Sequence, residues 1–501
     1  MTLVVTVLDT TGIQPYIFGS NRLRENVGAS YLVSQVTDEW VKEVLKDLRD
    51  DKNKNWKIQI PAHPEDKPYI EEDITLNAEL VYAGGGNTVL LFQTIDYAKE
   101  FTRKLSRKIL EKAPGINLVA AHKEFEWNGK STPLYEVIQE VMKNEVDRAK
   151  QQRVPSAPLL GLGVTADCRS SRLVAVGISN EEQYKMPSEH QAYPISREIG
   201  AKLVAVNAAN KQLKHFIFDS KKPHKKDDYK IPLDVDDMGR SEGESSYIAI
   251  VHADGNNMGK RFQDVGKDKS NRDYIIEVRK LSNSIQEAGK NALKKVYETV
   301  VKSLDSGSLT EKINLKDNTL PFRPIVYGGD DVTFVCDGRL GLELAAIYLQ
   351  EFEDQSVSYG GKLTACAGVC IVKSHYPFAR AYELSEDLCK SAKKYVKTKN
   401  KDESAIDWHL AASGLIGSVN DIREREYQGA EGKLYMRPVL LAQDDEWRTW
   451  QGLKKVIQEL NNNERWKDKR NKVIALREIL RKGSRATKEY RSSGEAGEMA
   501  K

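Results

Sequence analysis

Residues 324–336 read Pro-Ile-Val-Tyr-Gly-Gly-Asp-Asp-Val-Thr-Phe-Val-Cys, the most informative stretch of the chain. Two apolar, β-branched runs flank the Gly-Gly-Asp-Asp turn at 328–331, a pattern that is typical of a β-hairpin. Adjacent carboxylates disfavour each other's ionisation unless a cation neutralises them. Glycines in the turn permit backbone conformations that other residues avoid, and they let a bulky ligand approach. The stretch predicts a divalent-metal site that holds nucleotide phosphates, although alone it could be an ordinary hairpin.

A third carboxylate follows an apolar strand pattern further upstream. Residues 247–253 form a nearly continuous apolar run, and Asp254-Gly255 comes directly after it. Apolar residues at helical spacing then extend from Val278 to Val300. Strand, carboxylate, helix and acidic hairpin is the order of a nucleotide-polymerising palm, whose two magnesium or manganese ions prefer oxygen ligands. The predicted catalytic and metal-binding groups are Asp254, the Gly255 carbonyl, Asp330 and Asp331.

These elements resemble one family, the large polymerase/cyclase subunit of type III CRISPR effector complexes (the Csm/Cmr large subunit). The resemblance is carried by the acidic hairpin and by residues 253–259, 366–370, 377–382, 404–407 and 434–438. More distantly, the same elements look like GGDEF-type nucleotide cyclases, in which a lysine contacts phosphate. Lys393 stands at the matching position. The resemblance therefore implies that Lys393, with Gly328 and Gly329, binds the nucleotide.

The N-terminal part of the chain supports the resemblance independently. Residues 3–8 form an apolar strand pattern that ends at Asp9, and a Gly-Ile-Gln signature like that of the family's first palm follows at 12–14. A second hairpin pattern spans residues 80–92, with Gly-Asn in place of the two aspartates. We interpret the chain as an internal duplication with one acidic and one degenerate palm. The degenerate palm would either be scaffold or cradle a nucleotide with Gly84, Gly85, Gly86 and Asn87.

The resemblance implies an α+β fold with two ferredoxin-like palm domains. We expect a degenerate first palm over residues 1–126 and an α/β linker region over 127–245. The second palm is expected over residues 246–442, and a C-terminal helical domain with a basic tail over 443–501. Because the chain starts at the first palm, we expect no N-terminal HD nuclease domain.

Two residue types depart from the family's pattern. Cys366 and Cys370 stand in a strand pattern without a CxxC pair or a histidine cluster, so we expect no zinc and interpret them as small buried hydrophobic residues. Asn256 stands where many relatives have a second aspartate. It carries no charge, and we do not count it among the metal ligands.

Composition agrees with a multidomain protein of the cytoplasm. The chain has 501 residues, five cysteines without a pairing pattern and a net charge of +4. The cysteine usage fits a reducing compartment, and the lack of a long apolar stretch predicts no membrane association. The modest net charge does not by itself indicate nucleic-acid binding.

Several charged residues and segments can be interpreted in two ways. The basic segment 465–491 would form an amphipathic helix that attracts RNA or a partner subunit, or simply a solvated helix face. Arg22 and Arg24, at a predicted helix start, are hypothesised to contact a nucleotide. His252 is interpreted as structural or as a minor support of Asp254, and the run 221–226 with His224 as a connector.

The resemblance implies ATP as substrate and cyclic oligoadenylate, an antiviral second messenger, as product. The ions would orient one nucleotide's triphosphate against the 3′-hydroxyl of another that sits on the first palm, and Lys393 would neutralise the triphosphate. Expected partners are nucleoside triphosphates, RNA and CRISPR effector subunits, and homo-oligomerisation stays open. The alternatives are a non-catalytic nucleotide- or RNA-binding scaffold subunit and a standalone nucleotide cyclase with another activator.

Overall fold

The computed structural model of the chain describes residues 1–51, 55–84, 86–127, 133–152, 161–187, 190–217, 229–238, 246–310, 313–355, 361–399, 402–411, 417–429, 431–442, 447–464, 466–467 and 469–492. Gly85 of the first glycine-rich turn lies outside these residues, as does the basic run 221–226 with His224. None of the helices within the described ranges combines the length and hydropathy that crossing a bilayer requires.

The first sheet carries the degenerate palm. Its strands are β1 (Thr2–Thr11), β2 (Lys57–Gln59), β3 (Leu76–Gly84), β4 (Asn87–Phe92) and β5 (Asn117–Glu126). Its helices are α1 (Ile13–Phe18), α2 (Leu23–Ser34), α3 (Trp40–Arg49) and α4 (Ile95–Lys112), with a π-helical turn at Gln35–Glu39. The strand order is β2-β3-β4-β1-β5. Without the edge strand β2, this is the antiparallel order of a ferredoxin-like βαββαβ unit.

A helical segment and a small linker follow the first sheet. The helical segment consists of α5 (Leu134–Glu140), a π-helical stretch at Val141–Val146 and α6 (Asp147–Gln152). The linker contains the two-stranded sheet of β6 (Gly177–Ile178) and β7 (Pro194–Ile195), and then α7 (Arg197–Ile217). Cys168, Tyr184 and Tyr193 form a small separate core in the linker.

The second sheet carries the acidic hairpin. Its main elements are β8 (Tyr247–Gly255), α8 (Met258–Val265), α9 (Asn271–Asp305), β9 (Phe322–Gly328), β10 (Asp331–Asp337), α10 (Gly341–Asp354), β11 (Ala365–Lys373), α11 (Phe378–Lys399) and β12 (Ala405–Ala411). Shorter elements follow, namely α12 (Val419–Glu426), β13 (Gln428–Gly429), β14 (Gly432–Lys433) and β15 (Val439–Leu440). The order β15-β12-β11-β8-β10-β9 contains the same four-strand unit, so the predicted pair of ferredoxin-like sheets is confirmed.

Side chains alternate along β8 and bury both faces of this sheet. Ala249 and Val251 belong to a core that also contains Ile285 of α9 and Leu344 of α10. On the opposite face, Ile248 and Ile250 share a core with residues of α11 and of the first palm's helices. The ring of Phe18 in α1 stacks on Tyr382 of α11, with 3.7 Å between centroids. The helix α11 therefore packs between the second sheet and the first palm.

The two sheets share details that indicate a duplication. Asp9 at the end of β1 pairs with Asn87, just as Asp254 at the end of β8 pairs with Asp331. In both hairpins the register shifts three residues before the last glycine of the strand, at Val81 and at Ile325. A bulge kept at the same place is a feature of the fold rather than a defect.

The C-terminal segment is helical, as expected. It contains α13 (Trp450–Asn462), α14 (Arg470–Arg481) and α15 (Ser484–Ser492). Its only buried apolar side chains within the described ranges are those of Trp450 and Trp466. All five cysteines of the chain are buried and free of disulfides.

Candidate active site

The acidic hairpin brings three carboxylates to one end of the second sheet. Asp254 and Asp331 lie directly opposite each other on β8 and β10. Asp330 occupies the turn, where its carbonyl accepts a hydrogen bond from the Gly255 amide at 3.1 Å. The turn needs glycine because Gly328 has a φ of 130°, which L side chains rarely adopt. The structure thus places the predicted Asp254, Asp330 and Asp331 together.

Lys393 reaches this cluster from α11. Its Nζ lies 2.6 Å from Asp254 Oδ2 and donates a second hydrogen bond of 2.8 Å to the Gly255 carbonyl. Burial alone would lower the pKa of Lys393, but the charge and hydrogen bond of Asp254 leave it raised. The sequence predicted a phosphate contact for this lysine. In the structure it holds two of the groups predicted to bind metal.

The other two carboxylates lack such a counter-charge. Burial, and then the negative charge of Asp254, raises the pKa of Asp330 and of Asp331 to about 7. The Oδ1 atom of Asp331 is buried without a hydrogen-bond partner. His252 Nδ1 lies 3.3 Å from it, but His252 instead shares a 3.1 Å hydrogen bond with Thr333. Burial lowers the pKa of His252, so this imidazole is neutral at pH 7 and does not compensate Asp331.

A cavity of about 360 Å³ opens beside the carboxylates. It is lined by Asp254, Gly255, Asn256, Asn257, Met258, Gly259, Asp330, Lys393, Val396, Lys397 and Asp402. The start of α8 forms one wall, where Asn257 has a φ of 58° and no side chain caps the first N–H groups. Such unsatisfied N–H groups attract anions. The cavity can therefore accept a phosphate chain between the start of α8 and the two lysines of α11.

Lys397 and Asp402 were not found from the sequence. Lys397 follows Lys393 by four residues on α11, so the two side chains share one helix face. That spacing was visible in the sequence, whereas the position of Asp402 depends on the fold. The Asp402 carboxylate accepts a 2.9 Å hydrogen bond from Thr364, which fixes it at the rim of the cavity.

Asn256 is turned away from the carboxylates. Its side-chain amide donates to Thr364 Oγ1 at 3.1 Å and to the Glu403 carbonyl at 3.2 Å. Its backbone amide donates to the Thr364 carbonyl at 2.8 Å. This residue holds the loop that leads into α8, and these contacts give it a structural part in the cavity wall.

Comparison with protein families decides what this segment is. Residues 247–403 match the family model described as the second palm domain of Cas10/Cmr2. This segment is similar to a Cas10/Cmr2 second palm. A search of curated proteins finds no match to the chain.

Solved structures share the fold of this Cas10-like chain. A chain of the Csm1-Csm4 cassette in complex with AMPPNP matches 98% of it, with a TM-score of 0.53 and 14% identity. A chain of the same cassette in complex with pppApApA matches 100% of it, with a TM-score of 0.51 and 13% identity. In both comparisons the Cas10-like chain covers 64% of the matched chain.

The first palm of the Cas10-like chain repeats part of the site. Asp9 takes the place of Asp254, and Lys150 Nζ lies 2.5 Å from Asp9 Oδ2 as Lys393 does from Asp254. Gly84 and Gly86 have φ values of 143° and 86°, so the turn keeps its glycine geometry. The sequence singled out Asp9 but not Lys150, because nothing local connects residues so far apart.

The predicted metal ligands fit a hard cation by their chemistry. All are oxygen donors. Burial, and then the negative charge of Asp254, raises the pKa values of Asp330 and Asp331, and a bound cation would offset both effects. Among the described residues, however, no three acidic, histidine or cysteine side chains already converge as a metal site. Because Lys393 holds Asp254 Oδ2 and the Gly255 carbonyl, its ammonium group would compete with a metal for these ligands.

The structure does not bring Arg22 and Arg24 to this cavity. They line a second cavity of about 290 Å³ together with Tyr193 and Asp234. The Arg22 guanidinium lies 3.9 Å from the centroid of the Tyr193 ring. The hypothesis that these arginines contact a nucleotide at the start of α2 stays a prediction.

Proposed function

We propose that this Cas10-like chain is a metal-dependent nucleotidyltransferase that converts ATP into cyclic oligoadenylate in type III CRISPR-like antiviral defence. The observation that carries the proposal is the cluster of Asp254, Asp330 and Asp331 beside a cavity that also presents Lys393 and Lys397. Uncompensated carboxylates next to ammonium groups and free helix N–H groups suit a metal-bound triphosphate.

The second palm would hold the nucleotide that donates its α-phosphate. The start of α8 and the ammonium groups of Lys393 and Lys397 would bind the triphosphate. Asp254, the Gly255 carbonyl, Asp330 and Asp331 would hold two magnesium or manganese ions. When bound, such ions lower the pKa of the attacking hydroxyl and neutralise charge on the leaving pyrophosphate. Lys393 would exchange Asp254 for the triphosphate as the nucleotide binds.

The first palm would seat the nucleotide that supplies the 3′-hydroxyl. Its glycine-rich turn, with Gly84, Gly86 and Asn87, repeats the backbone of the acidic hairpin. The ammonium group of Lys150 would release Asp9 and contact phosphate, by analogy with Lys393. Because this palm has Asn87 in place of Asp331, it would bind a nucleotide without activating it.

The structural comparisons suggest ligands and a partner. The matched structures are Csm1-Csm4 cassettes in complex with AMPPNP and pppApApA. By likeness to them, this chain would bind adenine nucleotides and assemble with a further effector subunit. That RNA is also a partner rests on the family resemblance of the sequence.

The test is product analysis with isosteric variants. The protein, alone and with candidate activating RNA, is incubated with each nucleoside triphosphate and magnesium or manganese, and the products are identified by mass spectrometry. We expect cyclic oligoadenylate from the wild type and from Asp47→Asn, an exposed control, but not from Asp330→Asn/Asp331→Asn. Nucleotide binding without any product under all conditions would favour a scaffold subunit instead.

A further inference from the structure

One helix contacts the glycine-rich turn of the second palm and the strand that leads into the turn of the first palm. The helix α9 is 35 residues long, and Arg279 and Gly289 lie ten positions apart on it. At 1.5 Å per residue, these positions are separated by about 15 Å along the helix axis. Arg279 contacts the first palm and Gly289 contacts the second.

Arg279 binds the strand that leads into the first palm's turn. Its Nε donates a 2.9 Å hydrogen bond to the Val81 carbonyl, and its Nη2 donates a 2.6 Å hydrogen bond to the Leu80 carbonyl. The pairing of β3 with β4 shifts register at Val81, three residues before Gly84. A bulge leaves backbone groups without a partner in the ladder, and buried groups of this kind need one. The guanidinium therefore fixes the first turn through its supporting strand.

The turn of the second palm packs against Gly289 of α9. A Cβ atom at this position would lie 2.2 Å from the Gly329 carbonyl oxygen. The backbone of α9 thus rests against the Gly-Gly-Asp-Asp turn at a distance that excludes every side chain. A substitution here must displace the turn that carries Asp330.

Buried charges secure the contact between α9 and the first palm. Glu79 of β3 is fully buried and accepts hydrogen bonds from Arg279 at 2.7 Å and from Arg272 at 2.6 Å. Burial would raise the pKa of Glu79, but the two arginines hold it below its ordinary value. Arg272 also binds Glu71 at 2.8 Å. Because an unpaired buried charge is strongly unfavourable, slippage of α9 along β3 is resisted.

We propose that α9 is a spacer that sets the distance between the two nucleotide seats, with Arg279 and Gly289 as positioning residues. The inference rests on the proposed function. In that reaction the 3′-oxygen of one nucleotide bonds to the α-phosphorus of the other, pyrophosphate leaves, and the hydroxyl proton passes to solvent. A misplacement of about 1 Å between such groups can cost about 100-fold in rate.

The experiment combines a distance measurement with kinetics. Because all native cysteines are buried, Arg103→Cys on α4 and Gln350→Cys on α10 can carry spin labels selectively. Double electron–electron resonance spectroscopy measures the distance between the two spin labels in the full chain. In Arg279→Gln, where Arg272 still pairs with Glu79, we expect a shifted or broadened distance. The control Lys302→Gln, an exposed change on the same helix, should keep the wild-type distribution.

Kinetic measurements distinguish a positioning role of Arg279 from a general loss of folded protein. In Arg279→Gln we expect kcat to fall about 100-fold, with Mn²⁺ affinity at the second palm unchanged and partial rescue by Arg279→Lys. Gly289→Ala acts on the other contact and should lower both kcat and Mn²⁺ affinity. An unchanged label distance in Arg279→Gln overturns the inference whatever the activity. A changed distance in a chain whose wild type makes no product supports the spacer and overturns the proposed synthase.

Discussion

The ammonium group of Lys393 lies in the acidic cluster at a position where a metal cation would otherwise balance the charge. Its ammonium group is bonded to Asp254 and to the Gly255 carbonyl, and its side chain is 23% exposed. A partly buried carboxylate needs such a counter-charge when no metal is bound. Metal and lysine therefore compete for Asp254, and a triphosphate offers the lysine another anion.

Replacement of Lys393 should separate metal binding from nucleotide binding. In Lys393→Met we expect Mn²⁺ alone to bind at least as tightly as in the wild type, because the competing ammonium is gone. Affinity for ATP with Mn²⁺ should fall about 10- to 100-fold, since a charge-assisted hydrogen bond to phosphate is lost. Isothermal titration calorimetry measures both affinities, and Lys390→Met on the same helix is the control. Weaker binding of Mn²⁺ alone would contradict the competition.

The raised pKa values of Asp330 and Asp331 predict how pH affects the metal-free protein. Both rise from 3.8 to about 7, so the folded state binds these protons more tightly than the unfolded chain. Their stabilising contribution is complete below pH 4 and is lost as pH rises through 7. The melting temperature of Asp330→Asn/Asp331→Asn should exceed that of the wild type increasingly from pH 5 to pH 8. If calorimetry shows a difference in melting temperature that stays constant from pH 5 to pH 8, the assigned pKa shifts are contradicted.

At the level of elements, the acidic turn depends on backbone geometry more than on space. Gly328 has a φ of 130°, yet a Cβ atom there would meet nothing within 4 Å. Gly328→Ala should therefore destabilise the fold by about 1–3 kcal/mol through backbone strain alone. Urea denaturation measures this cost. The control Gly163→Ala, which also has open space but no positive φ, should be nearly neutral, and equal effects of the two changes would contradict the argument.

Local elements followed from the sequence, whereas contacts between distant elements did not. The acidic hairpin and the strand before Asp254 were predicted because alternation and turn glycines are local signals. The pairing of Lys150 with Asp9 was missed, since it joins residues that only the fold brings together. The buried ionic contact of Glu79 with α9 was missed for the same reason.

The positions of two predicted groups show the same limit. Lys393 was predicted from its resemblance to a phosphate-binding lysine, and the structure adds its bond to Asp254, which no spacing rule supplies. Arg22 and Arg24 carried a helix-start signal, and the structure places them at a cavity that the sequence did not indicate. Charge at a helix start is common, and only tertiary structure decides what it faces.

The whole molecule is an asymmetric duplication. Both sheets contain the same four-strand unit, with a bulge and a glycine-rich turn at matching places. One keeps three carboxylates at its edge, whereas the other keeps Asp9 and has Asn87 opposite it. In the proposed reaction, which joins two identical nucleotides, the acidic palm would activate one nucleotide and the first palm would hold the other. The helix α9 contacts both palms.

The proposed synthase activity is tested most directly by the amount of pyrophosphate released per ATP consumed. Closing a ring of adenylates forms one phosphodiester bond per nucleotide, so the wild type with magnesium should release one pyrophosphate for each ATP. Asp330→Asn/Asp331→Asn should release none above background. Release of orthophosphate instead of pyrophosphate, or pyrophosphate release that survives in the variant, would contradict a palm nucleotidyltransferase centred on the acidic hairpin.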